Sequence, residues 1–212
     1  MAIIVVGGSS RGAGKTALVC GLIAALPEFG WTAVKITSHD HGQPGPIWEE
    51  TLPGEETDTA RYLAAGARRA FLATPAPRLH SDEPDLTAVL DDLWPRFGRG
   101  TNFIFESNSV VHHVSPNVCL MVHAIARREL PLPERKPSFF AALHHADALV
   151  APSTRNKLIA DGLCLAGQDP KPVFRLAALE RVSPELLAWI RPRLAPGLES
   201  GPDPNPDQSR VP

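Results

Sequence analysis

The segment Ala2-Ile3-Ile4-Val5-Val6-Gly7-Gly8-Ser9-Ser10-Arg11-Gly12-Ala13-Gly14-Lys15-Thr16 decides the fold. Its first part, Ala2 to Val6, is a short β-branched apolar run of the kind that forms a buried strand. The following stretch is too rich in glycine for a helix or a sheet interior. From Lys15 onward Leu18, Val19, Leu22, Ile23 and Leu26 return at helical spacing on one face, and Pro27 and Gly30 close that run. A strand, a glycine-rich turn and a helix opening on Lys-Thr make a P-loop. Gly12 and Gly14 let the backbone bend without a Cβ clash, so successive N–H groups face one concavity. The helix N-terminus beneath favours an anion there, through its free N–H groups and its dipole. The expected cradle for a nucleotide is Ser10, Arg11, Gly12, Ala13, Gly14, Lys15, Thr16 and Ala17. Lys15 would reach the β- and γ-phosphates, and the Thr16 hydroxyl would hold Mg²⁺. Arg11 either contacts phosphate or points to solvent. The usual pattern, G-x-x-x-x-G-K-[ST], starts on glycine; the window Ser9 to Thr16 starts on serine, with Gly8 one residue early.

A P-loop needs a partner acid at the end of an apolar strand, to orient the water shell of the metal. Phe103-Ile104-Phe105-Glu106 supplies one. Ser107, Asn108 and Ser109 come next and either contact phosphate, a metal water or substrate, or form a turn. A second acid, Asp40, stands in Ser38-His39-Asp40-His41, just past the expected strand Trp31 to Thr37. Ligands gather at such strand ends in open parallel sheets. Asp40 either approaches the metal or its water or forms a turn in a polar loop; a neighbouring histidine is a candidate substrate contact. Lys15, Asp40 and Glu106 are therefore the candidate catalytic groups, and Thr16, Glu106 and Asp40 the candidate Mg²⁺ ligands. Zinc is disfavoured, because no second ligand cluster has zinc spacing. The pairs His112-His113 and His144-His145 are adjacent, and adjacent side chains diverge on a strand or a helix. The base remains open between GTP and ATP. Asn156-Lys157 resembles the start of a guanine-reading Asn-Lys-x-Asp, but Leu158 and Ile159 come next and Asp161 lies too far along.

Helix following strand makes a βαβ unit, so the expected fold class is α/β, with a mostly parallel twisted sheet and helices on both faces. Ser38 to Gly54 reads as irregular. Glu55 to Ala65 reads as a helix capped at Thr57 or Asp58, and Arg68 to Ala73 as the third strand. Pro84 to Phe97 reads as a helix with Leu86, Val89, Leu90 and Leu93 inward. Asn102 to Phe105, Asn117 to Val122 and Ala148 to Ala151 supply further strands, and Val173 to Leu176 a last short one. Ser138 to His145, Lys157 to Leu165 and Pro184 to Leu194 read as helices. Residues 1–194 are expected to form one P-loop domain, and Ala195 to Pro212, rich in Pro, Gly and Asp, a disordered tail.

Composition narrows the function classes. The 212 residues are 43% hydrophobic and 21% charged, with a formal net charge of -2. That length suffices for one α/β domain with a core. The near-neutral balance argues against general binding to nucleic acid or anionic membrane. No apolar run has the length of a membrane helix, and the start AIIVVGG lacks the charged region of a secretory signal. The odd set Cys20, Cys119 and Cys164 reads as free thiols of a reducing compartment, so a cytoplasmic protein is expected.

With these residues in place, the chain resembles the MobB family, the P-loop proteins of molybdopterin guanine dinucleotide assembly. Ser9 to Thr16 resembles the family's P-loop, which also often lacks the first glycine. Val34-Lys35-Ile36-Thr37-Ser38-His39-Asp40 resembles its strand ending in Lys and a His-rich stretch closed by Asp. Asp58-Thr59-Ala60-Arg61 through Ala65-Gly66-Ala67 resembles its Asp-Ser/Thr…Arg…Ala-Gly-Ala helix, and Glu106 its acid after the fourth strand. The likeness covers roughly residues 1 to 110. The chain departs from the family at Glu106-Ser107-Asn108-Ser109, where Glu-Gly-Phe/Tyr-Lys is usual. It departs again within Gly42 to Thr57, which lacks the usual Pro-Gly-Lys-Asp-Ser run. The resemblance implies a cytoplasmic GTP-binding accessory protein with weak hydrolysis, possible as a homodimer. It implies as partner a molybdenum-cofactor nucleotidyltransferase or a molybdoenzyme. Two other readings share the same core. One is an ATP-dependent small-molecule kinase or ligase-like enzyme in the manner of dethiobiotin synthetase, with Ser38–His41 and Ser107–Ser109 binding an acceptor. The other is a switch whose nucleotide state controls a partner.

Overall fold

The computed structural model describes residues 1–37, 45–76, 85–98, 100–123, 137–153 and 171–194. Asp40, His39, His41, the Asn156-Lys157 segment, the helix expected at Lys157 to Leu165, Cys164 and the expected tail lie outside the described residues.

The apolar runs pair into a sheet of eight strands: β1 (Ile3–Gly8), β2 (Thr32–Ile36), β3 (Ile47–Glu50), β4 (Arg69–Ala73), β5 (Phe103–Glu106), β6 (Val118–Val122), β7 (Ala148–Pro152) and β8 (Val173–Leu176). Their order across the sheet is β3-β4-β2-β5-β1-β6-β7-β8. Every neighbouring pair is parallel except β3 with β4, which is antiparallel. Strand β3 corrects the irregular reading of Ser38 to Gly54. Its four residues, IWEE, show neither alternation nor a β-branched run, and pairing with β4 at a sheet edge is what holds them extended.

The period of two divides each central strand between two cores. Ile4, Val6, Ala33, Ile104, Leu120 and Val150 face α1 (Lys15–Ala25), α2 (Asp58–Ala64) and α5 (Pro184–Leu194). Ile3, Val5, Val34, Phe103, Phe105 and Cys119 face α3 (Thr87–Leu93), while Met121 and Leu149 face α4 (Pro137–His145). The fold is thus α/β, a mostly parallel sheet covered on both sides, the arrangement of P-loop NTPases. The side carrying α1 holds Trp31 and Tyr62, each with almost no exposed surface. Aromatic edges interlock on the other, Trp94 against Phe103 at 5.1 Å between centroids and Phe97 against Phe103 at the same distance.

Helix ends obey local chemistry. Thr57 caps α2, its hydroxyl accepting from the Ala60 N–H at 3.0 Å, so the helix starts at Asp58 rather than Glu55. The expected helix Pro84 to Phe97 contracts to α3 and then tightens into a 3-10 turn at Trp94–Arg96. Pro95 has no N–H for the α pattern there. Cys20 and Cys119 are free thiols, and burial pushes their pKa values up to about 11 and about 12. No helix among the described residues is long and apolar enough to cross a membrane.

Candidate phosphate-loop site

Strand β1 is flanked by β5 on one side and β6 on the other. The chain runs outward from β1 through β2 and β4, returns to β5, then crosses to β6. The loop after β1 therefore opens at the point where the strand order reverses, the usual ligand crevice of such sheets. Gly12 and Gly14 both take positive φ, 74° and 94°, as the loop turns into α1. A Cβ at Gly14 would meet Leu179 Cδ1 at 2.2 Å, so a side chain there would displace that leucine as well as strain the left-handed backbone. Ala13 is buried, whereas Arg11 and Gly12 are exposed. Ala17 packs on the core below the loop.

The loop is held from beneath. The Ser9 N–H donates to the Val122 carbonyl at 2.9 Å. The Asn108 side chain clasps Gly8, accepting from its N–H at 2.8 Å and donating to its carbonyl at 3.0 Å. The Ser107 hydroxyl accepts from the N–H groups of Ser109 and Val110 at 3.1 and 3.2 Å. Of the two roles open to Ser107–Ser109, these contacts are those of a turn that braces the loop.

Register and alternation assemble the rest. Val6 of β1 and Lys35 of β2 both stand opposite Glu106 of β5. Glu106 alternates with Phe105, so its side chain turns to the α1 side, where Ile104 also points. There its carboxylate is nearly buried and accepts from several directions. The Thr16 hydroxyl donates to Oε2 at 2.7 Å. The Tyr62 hydroxyl, from fully buried α2 core, donates to the same oxygen, and Lys35 Nζ donates to Oε1 at 3.2 Å. Lys35 also pairs with Asp58 at the first turn of α2, and Arg61 lies 3.8 Å from Asp58.

Charge and burial set the proton affinities. Burial pulls Lys15 below the ordinary lysine value; Glu106 opposes that and the Lys35 charge adds to it. Its Nζ rests on the Ser10 carbonyl at 3.2 Å. Burial also pulls on Lys35, but Glu106 and Asp58 outweigh it and hold its pKa above the ordinary value. Asp58 is pushed up by burial and brought below the usual carboxylate value by Lys35, Thr16 and Arg61. Burial beside Glu106 raises Tyr62 well above a free phenol. The Ser10 hydroxyl oxygen is buried with no hydrogen-bond partner among the described residues, in the middle of the loop. A loop with two left-handed glycines, Lys15 at its end and an unspent hydroxyl fits an oxyanion. The Thr16 oxygen, donating its proton to Glu106, keeps lone pairs for a hard cation.

The structure thus brings together Ser10, Gly12, Gly14, Lys15, Thr16 and Glu106 of the predicted set. Lys35, Asp58 and Tyr62 complete the cluster and were not among the predicted site residues. Lys35 had a signal, a lysine on the inward phase of an apolar strand. The rings of His112, His144 and His145 stack edge to face, with centroids 5.7 and 5.3 Å apart. No group of three or more His, Cys, Asp or Glu suited to a metal occurs among the described residues. A shallow cleft of about 330 Å³ lies at the opposite end of the sheet, lined by Phe29, Arg68, Arg69, Phe97 and Asn102. Two of its polar groups are spent on the fold: Arg69 forks onto Glu49 at 2.7 and 2.8 Å, and the Asn102 side chain bonds the Ala2 N–H and the Phe29 carbonyl.

No protein-family model matches the chain, and no curated protein matches it. Among solved structures the chain is similar to the "apo" form of LpxK from Aquifex aeolicus crystallised in complex with ATP. The identity is 17% and the TM-score 0.46, over 82% of this chain and 53% of that one.

Proposed function

We propose that this protein binds a nucleoside triphosphate with Mg²⁺ at the Ser9–Thr16 loop, as a GTP-binding accessory protein of the MobB kind. The observation that carries nucleotide binding is the Thr16–Glu106 hydrogen bond at 2.7 Å, below a loop whose Gly12 and Gly14 are left-handed. In this reading the loop N–H groups surround the β-phosphate, Lys15 neutralises phosphate charge, and Thr16 with Glu106 holds the metal's water shell. Bound Mg²⁺ would supply charge neutralisation at the phosphates. Asp40, a further candidate for that shell, lies outside the described residues.

The MobB-like part is supported by where the resembling residues meet. Lys35, Asp58, Arg61 and Glu106 come from separate stretches of the sequence and converge beside the loop. Weak hydrolysis is supported by the state of Glu106. A carboxylate that already accepts from Thr16, Tyr62 and Lys35 has little capacity left as a general base. A cytoplasmic partner that joins GMP to molybdopterin, or a molybdoenzyme, belongs to the same reading, as does a homodimer. Against the kinase-like alternative stands the engagement of Ser107 and Asn108, two of its expected acceptor contacts, in bracing the loop.

Calorimetric titration of the purified protein with GTP and with ATP, each with Mg²⁺, tests both levels. Binding that vanishes in Lys15→Ala supports the nucleotide site. A preference for GTP, together with loss of molybdoenzyme activity in a deletion strain, supports the accessory role. An ATP preference with nucleotide turnover stimulated by an acceptor metabolite would replace it by the kinase-like reading.

A further inference from the structure

We infer that Lys35 reads the terminal phosphate and so sets preference for a nucleoside triphosphate over a diphosphate; this rests on the nucleotide-binding reading above. Lys15 and Lys35 both feel the charge of Glu106 and come from different elements, the head of α1 and the end of β2, but only Lys35 bonds it, at 3.2 Å. They are occupied differently. Lys15 Nζ rests on a carbonyl of its own loop, that of Ser10. Lys35 Nζ instead bridges Glu106, which is nearly buried, and Asp58, whose side chain is 35% exposed. Lys35 itself keeps 17% of its side-chain surface, so its ammonium lies between the depth of the site and its open rim.

Charge balance dictates how Lys35 responds when the loop fills. Glu106 and Asp58 are two carboxylates, and both have Lys35 as a counter-cation. The Thr16 hydroxyl donates to Glu106 at 2.7 Å. Thr16 and Glu106 would hold a divalent cation, whose charge would replace the one that Lys35 now gives Glu106, and the Lys35 ammonium would then be free to leave that carboxylate. Asp58 would keep it near the rim, within reach of a phosphoryl group beyond the one that the loop and Lys15 would grip. A diphosphate does not place a group there. Lys35 would thus contact triphosphate only, with Asp58 positioning it.

The test is titration with GDP, GTP, ADP and ATP, each with Mg²⁺, of the wild-type protein, Lys35→Met, Lys35→Arg and the double variant Lys35→Met/Asp58→Asn. The double variant removes one charge of each sign, so no carboxylate at the rim is left without its partner. Lys35→Met and the double variant should lose about tenfold or more in triphosphate affinity, the size of one charge-assisted hydrogen bond. Diphosphate affinity should stay within about twofold, and Lys35→Arg should retain most of the triphosphate preference. Equal weakening for di- and triphosphate in both Lys35→Met backgrounds overturns the inference and leaves Lys35 a structural ion pair. So does a preference unchanged in both. If wild-type protein binds no nucleotide, the nucleotide reading falls and this inference with it.

Discussion

Lys15 and Lys35 are the same residue type and both feel the charge of Glu106, yet their proton affinities move in opposite directions. Burial depresses Lys15, which among the described residues bonds only a carbonyl, while Lys35 is largely covered too but has two carboxylates as partners. A buried charge with no direct ion pair is a destabilised group, of the kind a ligand anion would relieve. A charge held between two acids is part of the frame until something displaces it. The structure thus separates a lysine bonded to its own loop from one clamped between two acids.

The contrast can be broken most sharply with Lys15→Ala. Nucleotide affinity should fall by about a hundredfold or more, equivalent to about 3 kcal/mol, because a charged donor to phosphate is removed. Thermal unfolding should move by about 0.5 kcal/mol or less, since no carboxylate loses its only partner. A variant that binds normally would break the assignment of the loop. Lys35→Met should reverse the pattern in stability. It leaves Glu106 short of a cation in a nearly buried site and should cost about 2–3 kcal/mol in urea unfolding. An unchanged urea midpoint would show that Lys35 is not part of the frame. Tyr62→Phe keeps the ring in the core and removes only the hydroxyl that Glu106 accepts from. It should cost about 1 kcal/mol by the same measurement, and no loss would mean that water takes over the bond.

The smallest effect sharpens the comparison by pH. Lys15 is lowered from 10.5 on folding, so the unfolded chain binds more protons just below that value, and stability contributed by this group rises with pH there. Lys35 is raised from 10.5, so its contribution is complete below that value and is lost as pH climbs through the higher folded one. Urea midpoints across the alkaline range should therefore lose the rising part in Lys15→Ala and the falling part in Lys35→Met, each by less than about 1 kcal/mol. The same slope in both variants would contradict the opposite environments.

Much of this was legible locally. The strand, loop and helix of residues 2–26 arise from a β-branched run, glycines and a period of 3.6, all within one stretch of chain. Glu106 was legible because an acid closes an apolar strand. Tyr62 was not. It reads as one more core aromatic of an amphipathic helix, and only packing of α2 on α1 brings its hydroxyl to a carboxylate 44 positions away. The Lys35–Glu106 contact spans 71 positions and depends on β5 inserting between β1 and β2. Strand β3 escaped because it is short and charged at one end, and a neighbour from elsewhere supplies its order.

Asn108 carries a consequence beyond bracing. Its amide offers one acceptor and one donor to a single residue, as a peptide group of an adjoining strand would, so Gly8 meets a surrogate strand where β5 has already ended. Gly8 is matched on its other edge by Val122 of β6. The point from which the loop departs is therefore set during folding, and the conformational entropy of ordering it is lost then rather than when a phosphate arrives. Asparagine is required for this pairing: aspartate at 108 would present a second acceptor to the Gly8 carbonyl and leave the loop tethered on one side only.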